Sequence, residues 1–175
     1  MVQVVAGLSV EKILISACLL GHRVRYDGYV SASKHTLLKT WQSEGRLVPF
    51  CPEVAGGLTV PRPAAEIQHG NGDDVLSHRT KVATRQGADL SSAFLSGARQ
   101  ALALCSTNDI RIAILKENSP SCGVHEIHDG SFSGHLHAGH GVTAALLKQS
   151  GLSVFNEYEL QHVAHLLEDA ECRVP

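Results

Sequence analysis

Charge of neither sign dominates the sequence: 15 Lys and Arg stand against 17 Asp and Glu, for a formal net charge of -2. That balance excludes whole-chain wrapping of duplex nucleic acid or docking onto an anionic membrane, so any nucleic-acid contact has to be local. Long hydrophobic runs are missing as well, since the first apolar stretch, Ile13 to Leu20, is too short to cross a bilayer. The N-terminal segment lacks the basic and long apolar regions of a secretory leader, which points to a cytoplasmic protein. There is no internal repeat, low-complexity run or interdomain linker, so residues 1–175 read as one domain. Trp and Met occur once each, but 43% apolar and 18% charged residues make an ordinary globular composition rather than a disordered one. A chain of 175 residues buries a full core without staples. Cysteine is sparse and odd in number: Cys18, Cys51, Cys105, Cys122 and Cys172 share no regular spacing. In a reducing compartment they do not form a disulfide framework and are weighed as thiols, core residues or metal ligands.

What is present alternates. Lys12 to Cys18 predicts a buried strand ending near Gly21, and Ser33 is placed to cap a helix through Leu37, Leu38 and Trp41 that stops at Gly45. Arg46 to Phe50 predicts a second strand, closed by Cys51 and Pro52. A long loop rich in Gly and Pro follows, from Gly56 to the HGNGDD stretch. Ala88 to Asn108 predicts the longest helix despite Gly97, and Arg111 to Leu115 a third buried strand. Asp129-Gly130 suggests a tight turn in a small hairpin between Ile127 and Gly141. A helix over Val142 to Gln149, a strand over Leu152 to Phe155 and a terminal helix over Glu157 to Ala170 complete the reading. Strands alternating with helices predict a three-layer α/β/α fold around a mainly parallel, Rossmann-like sheet, with ligands beyond the carboxyl ends of its strands.

Cys18 and Cys51 end strands, and Cys122 lies just past the end of a third, so all three fall on that ligand edge. Their separations match no zinc-finger or ferredoxin spacing, and only the fold can bring them together. Three readings stay open: small hydrophobes at strand ends, a zinc site completed by one of the 11 His, or thiolates on an iron–sulfur cluster.

The strings SACLLG (Ser16 to Gly21), RYDG (Arg25 to Gly28), CPEVAGGLTVPRPAAEI (Cys51 to Ile67), ILKENSPSCG (Ile114 to Gly123), DGSFSG (Asp129 to Gly134) and GVTAALL (Gly141 to Leu147) resemble, in that order, the thiouracil desulfidase (TudS-like) family, once a domain of unknown function. The resemblance runs from about Lys12 to Leu160. It implies an oxygen-sensitive [4Fe-4S] enzyme that takes sulfur from a thiolated pyrimidine and yields the oxo base plus sulfide. The cluster ligands it implies are Cys18, Cys51 and Cys122, which leave one iron open to sulfur; the functional Glu and Ser fall on Glu53 and Ser119. Val24 stands where many relatives carry a Cys before RYDG, and the three-Cys site is untouched by that departure.

In this reading Glu53 activates the attacking water or passes its proton to the pyrimidine ring, and Ser119 hydrogen-bonds substrate or water. Lys116 is left outside the catalytic set. Arg25 and Arg62, with Arg23, Gly56 and Gly57, would furnish a phosphate pocket if the substrate is a nucleotide such as 4-thiouridine monophosphate. His125, His128, His135, His137 and His140 read as an exposed polar hairpin more readily than as a metal site. The alternative function is a redox sensor that holds zinc or a cluster without turnover, for which Glu53 and Ser119 have no use. Recognition of thiolated RNA is disfavoured by the lack of a strong basic patch.

Overall fold

A computed structural model describes residues 10–172, with the side chains of 170–172 left outside the description. The leader reading on the first nine residues and the side chain of Cys172 therefore lie outside the described residues. Four parallel strands form the central sheet in the order β2-β1-β5-β8: β1 (Ile13–Ser16), β2 (Leu47–Phe50), β5 (Ile112–Leu115) and β8 (Ser153–Asn156). Ile13 is paired with Leu47 on one side and Ile112 on the other, and Ile112 with Ser153. The near-continuous Ile, Leu and Ala runs of β1 and β5 suit strands buried on both faces.

Alternation along the strands sorts two cores. Ile13, Ile15, Ile112 and Ile114 pack against Leu38 and Trp41 of α1 (Thr36–Ser43) and Leu160, Val163 and Leu167 of α6 (Leu160–Cys172). Leu14, Ala113, Leu115 and Val154 face the other way, against Ala101 and Cys105 of α4 (Ser91–Thr107) and Ala144 and Leu147 of α5 (Val142–Gln149). The three-layer α/β/α expectation holds, and each fully buried Ile or Leu contributes about 1.5–3 kcal/mol of transfer free energy. Because the chain passes from β1 to β2 on one side and then to β5 on the other, the sheet reverses its order between β1 and β5. The open crevice at their carboxyl ends follows from that switch.

Local differences from the sequence reading have physical causes. The first strand ends at Ser16 and turns through a 3-10 segment, Ala17–Leu20, which Gly21 closes at φ 89. Cys18 thus sits on a turn rather than on the strand. His35, not Ser33, caps α1, its Nδ1 accepting the N–H of Leu37 at 3.2 Å. The expected long loop from Gly56 follows a short helix, α2 (Pro52–Ala55), and itself holds β3 (Ala65–Ile67), which pairs with β4 (Val82–Thr84) beyond it, and the start of α3 (Gly72–Leu76), capped reciprocally by Asn71 and Asp74. A third apolar cluster, with Ile67, Val82, Phe94 and Ile127, fixes this hairpin on α4. The small excursion is a hairpin of β6 (Glu126–His128) and β7 (Leu136–Ala138).

Candidate active site

A cavity of about 470 Å³ opens at the carboxyl edge of β1, β2 and β5. Cys18, Cys51 and Cys122 all line it, each from a different segment: the turn after β1, the residue before α2, and the loop after β5. They are free thiols, and burial pushes each above its ordinary value. Cys18 is pushed up to about 11 by burial first and by the neighbouring Cys51 next, with Lys116 pulling the other way. Cys122 is pushed furthest, by burial and then by its two fellow cysteines, against a hydrogen bond from the Ser16 hydroxyl. Around Cys51 the backbone N–H groups of Val54 and Glu53 oppose the upward push of burial. Such thiols stay protonated alone and give up their protons to a bound cation.

Beside the thiols stands a carboxylate fixed on both oxygens. Glu53, in the first turn of α2, receives Arg62 Nε at 2.9 Å and Nη2 at 2.7 Å on Oε2, and the Ser119 hydroxyl donates to Oε1 at 3.4 Å. Arg62 is itself held, its Nη2 donating to the Val24 carbonyl at 3.0 Å and Nη1 to that of Thr59 at 3.0 Å. Ser119 also accepts the N–H groups of Ser121 and Cys122, each at 3.1 Å, so one hydroxyl ties the carboxylate to the cysteine loop.

Of the residues named for a phosphate pocket, Arg25 and Arg62 line the cavity and Arg23, Gly56 and Gly57 do not. Arg62 spends its fork on Glu53, and Gly56 packs on α4, where a β-carbon would lie 2.1 Å from the Ala93 oxygen. Neither Gly56 nor Gly57 lines the cavity. Arg25 does line it, but its Nε and Nη2 bind Asp27 at 3.1 and 2.7 Å, and that hydrogen bond holds the Asp27 carboxyl down to about 2. Lys116 ion-pairs with Glu157. The histidines also stay apart. His125 meets Glu159 at 2.9 Å, His135 meets Ser133 at 3.0 Å, and His140 donates to the Val124 carbonyl at 2.6 Å. Among the described residues no group of three or more His, Cys, Asp and Glu is arranged to hold a metal ion. Cys105 lies in the core, where burial pushes its thiol up to about 11.

Residue-by-residue reading of the sequence missed Glu117, which organises the cysteine loop. Its Oε1 accepts the N–H groups of Val124, His125 and Glu126, each at 3.0 Å, and Asn156 Nδ2 donates to Oε2 at 2.5 Å. Burial, the largest single influence, pushes this carboxyl up, but these donors together hold it below its usual range. The available signal was an acidic residue two steps past the fully buried run of β5. Asn118 Oδ1 and His128 Nδ1 are buried without partners, and both residues line the cavity.

The 2-thiouracil desulfurase family matches residues 13–159. The uncharacterized protein YbbK of Bacillus subtilis (strain 168) is 44% identical over 151 residues, 86% of this chain and 99% of that protein. A solved structure described as the [4Fe-4S]-dependent thiouracil desulfidase TudS is similar with a TM-score of 0.83 and 46% identity, over 90% of this chain and 98% of that one. The family match over residues 13–159, nearly the whole chain, places the protein: it belongs to the 2-thiouracil desulfurase family.

Proposed function

We propose that this protein is a cytoplasmic [4Fe-4S]-dependent desulfidase that converts thiolated pyrimidines, 2-thiouracil and 4-thiouridine monophosphate, to their oxo forms plus sulfide. The observation that carries this reading is the Ser119–Glu53–Arg62 clamp on the wall that presents the three thiols. The donor set suits the cluster. Three thiols share one cavity yet are not arranged round a single ion, and a cluster asks each thiolate to hold a different iron. Cys18, Cys51 and Cys122 would hold it. When bound, it supplies a soft Lewis acid with one position open to the thiocarbonyl sulfur.

The chain's own residues perform the remainder. Water attacks the ring carbon, its oxygen forms the new C=O bond, the C–S bond breaks, and sulfide leaves with no net redox change. Glu53 takes the water's proton at Oε1, the oxygen that Arg62 leaves free. Arg62 fixes the carboxylate plane, and Ser119, through its hydrogen bonds to the Cys122 loop, sets the distance between carboxylate and sulfur site. A sensor without turnover has no use for a carboxylate clamped in this way. For the monophosphate, Arg25 has its Nη1 donors to offer a phosphate oxygen, since Nε and Nη2 are spent on Asp27.

The test is anaerobic reconstitution with iron and sulfide counting, followed by turnover of both substrates. About four irons per chain are expected in the unsubstituted protein, with activity lost in Cys122→Ala. Glu53→Gln is expected to keep its iron and lose about 10²- to 10⁴-fold in kcat. Zinc uptake without iron or turnover would overturn the reading. Arg25→Ala should weaken the monophosphate far more than the free base, and equal losses would remove Arg25 from the phosphate site.

A further inference from the structure

The desulfidase reading leaves one motif, DGSFSG over residues 129–134, without a task. It forms the loop between β6 and β7 and is stitched to itself: Asp129 Oδ1 accepts the N–H of Ser131 at 2.9 Å and its hydroxyl at 2.5 Å, and the hydroxyls of Ser131 and Ser133 lie 2.6 Å apart. Gly130, at φ 88, is pressed onto β3, where a β-carbon would lie 2.6 Å from the Ile67 oxygen. Ser131, Ser133, Gly134 and His135 face solvent, whereas Phe132 between them is half-buried and lines the cavity.

Phe132 sits at φ 57, in the left-handed region that a bulky side chain adopts only where its surroundings enforce it. They do so from three sides. Its N–H donates to Oε2 of the buried Glu66 on β3 at 2.9 Å. Its carbonyl accepts from Arg85 Nη2 at 2.6 Å, and the Arg85 guanidinium also lies 5.3 Å from its ring centroid. Glu66 and Arg85 both come from the β3–β4 hairpin, which takes no part in the central sheet. A phenylalanine serving only the core needs no strained backbone; Phe94 is 1% exposed from an ordinary helix position.

We propose that Phe132 is the platform on which the pyrimidine ring stacks, a specificity-determining residue that selects flat heteroaromatic thiocarbonyl compounds. The assignment rests on the desulfidase reading for its substrate class. Stacking on an aromatic ring suits pyrimidines because it uses the π face and leaves the thiocarbonyl edge free to turn toward the cysteines. The hairpin and the serine loop are then the frame that aims one ring.

The test uses anaerobically reconstituted protein, unsubstituted and as Phe132→Leu, Phe132→Ala and Phe132→Tyr. Two quantities are measured: the Kd of uracil, which is not consumed, by equilibrium dialysis, and KM and kcat for 2-thiouracil. Leu and Ala are expected to raise both Kd and KM about tenfold or more at equal iron content, with kcat moving far less, while Tyr preserves both. Leucine keeps the bulk and removes the π face, so it separates stacking from packing. A Leu variant that binds uracil as tightly as the unsubstituted protein overturns the platform. Failure of the desulfidase reading shows elsewhere, as uracil binding that responds to Phe132 in a protein without turnover. A protein that neither binds nor converts pyrimidines overturns both.

Discussion

At the scale of single residues, Glu117 shows how one buried carboxylate holds a loop that carries a metal-ligand candidate. Four backbone N–H groups, of Asn118, Val124, His125 and Glu126, converge on its Oε1 while Asn156 serves Oε2, so both oxygens must be acceptors. Glutamine at this position would turn an NH₂ group toward the Asn156 amide, a donor against a donor. Glu117→Gln is expected to lose about 2–3 kcal/mol at neutral pH, read as a lower Tm, together with weaker iron retention as the Ser119–Cys122 loop loosens. The pH dependence has a definite sign. Because the folded carboxyl titrates below its usual value, its stabilisation is fully present above the unfolded pKa of about 4.3 and disappears as pH falls through the folded one. The Tm difference between wild type and variant should therefore be flat from pH 8 to 6 and shrink below pH 4; a difference constant to pH 3 would exclude the charge as its source. Glu117 was hard to recognise because charge satisfaction by remote backbone leaves no local pattern. Arg62 is a parallel case. Its fork reads as a phosphate donor until folding turns it onto Glu53, 9 positions away.

At the scale of elements, the short helix that presents Glu53 is located by glycines. A β-carbon on Gly97 of α4 would lie 1.9 Å from the Pro52 oxygen, and one on Gly56 would lie 2.1 Å from the Ala93 oxygen, so α2 and α4 touch backbone to backbone. The apparent flaw in the longest helix is the reason that α2 can rest on it. Gly97→Ala improves helix propensity yet is expected to destabilise the protein by about 1–3 kcal/mol, because α2 must retreat and carry Cys51 and Glu53 with it. Thermal denaturation and kcat should fall together, and a higher Tm in this variant would show that α2 yields freely. The strands of the central sheet were legible because β1 (ILIS) and β5 (IAIL) are dense apolar runs, and because Cys51 and Pro52 close β2. The β3–β4 hairpin and α3 were not, since strands of three residues flanked by Gly and Pro show no period, and their partners lie in a cluster assembled from α4 and β6.

At the scale of the whole molecule, the parallel order β2-β1-β5-β8 converts three distant cysteines into one wall. Residues 18, 51 and 122 are far apart in the chain, yet each follows a strand of the same sheet, and all three strands end at the same edge. Strand-end position was readable in the sequence; the switch point that makes the ends converge is a property of strand order, which no local pattern encodes. A group bound by all three thiols ties three strand ends together, and by linkage it stabilises the folded chain only. Binding also has to strip protons from thiols that burial holds high, Cys18 at about 11 and the other two likewise raised. Proton release on binding means that rising pH favours the loaded form. The Tm of anaerobically reconstituted protein should therefore exceed that of the chelator-treated protein, and the gap should widen from pH 6.5 to pH 8.5. In Cys122→Ala, where one anchor is gone, the gap should nearly close at every pH. A gap that narrows with rising pH would mean that the bound group is not held by thiolates, and would remove Cys18, Cys51 and Cys122 as its ligands.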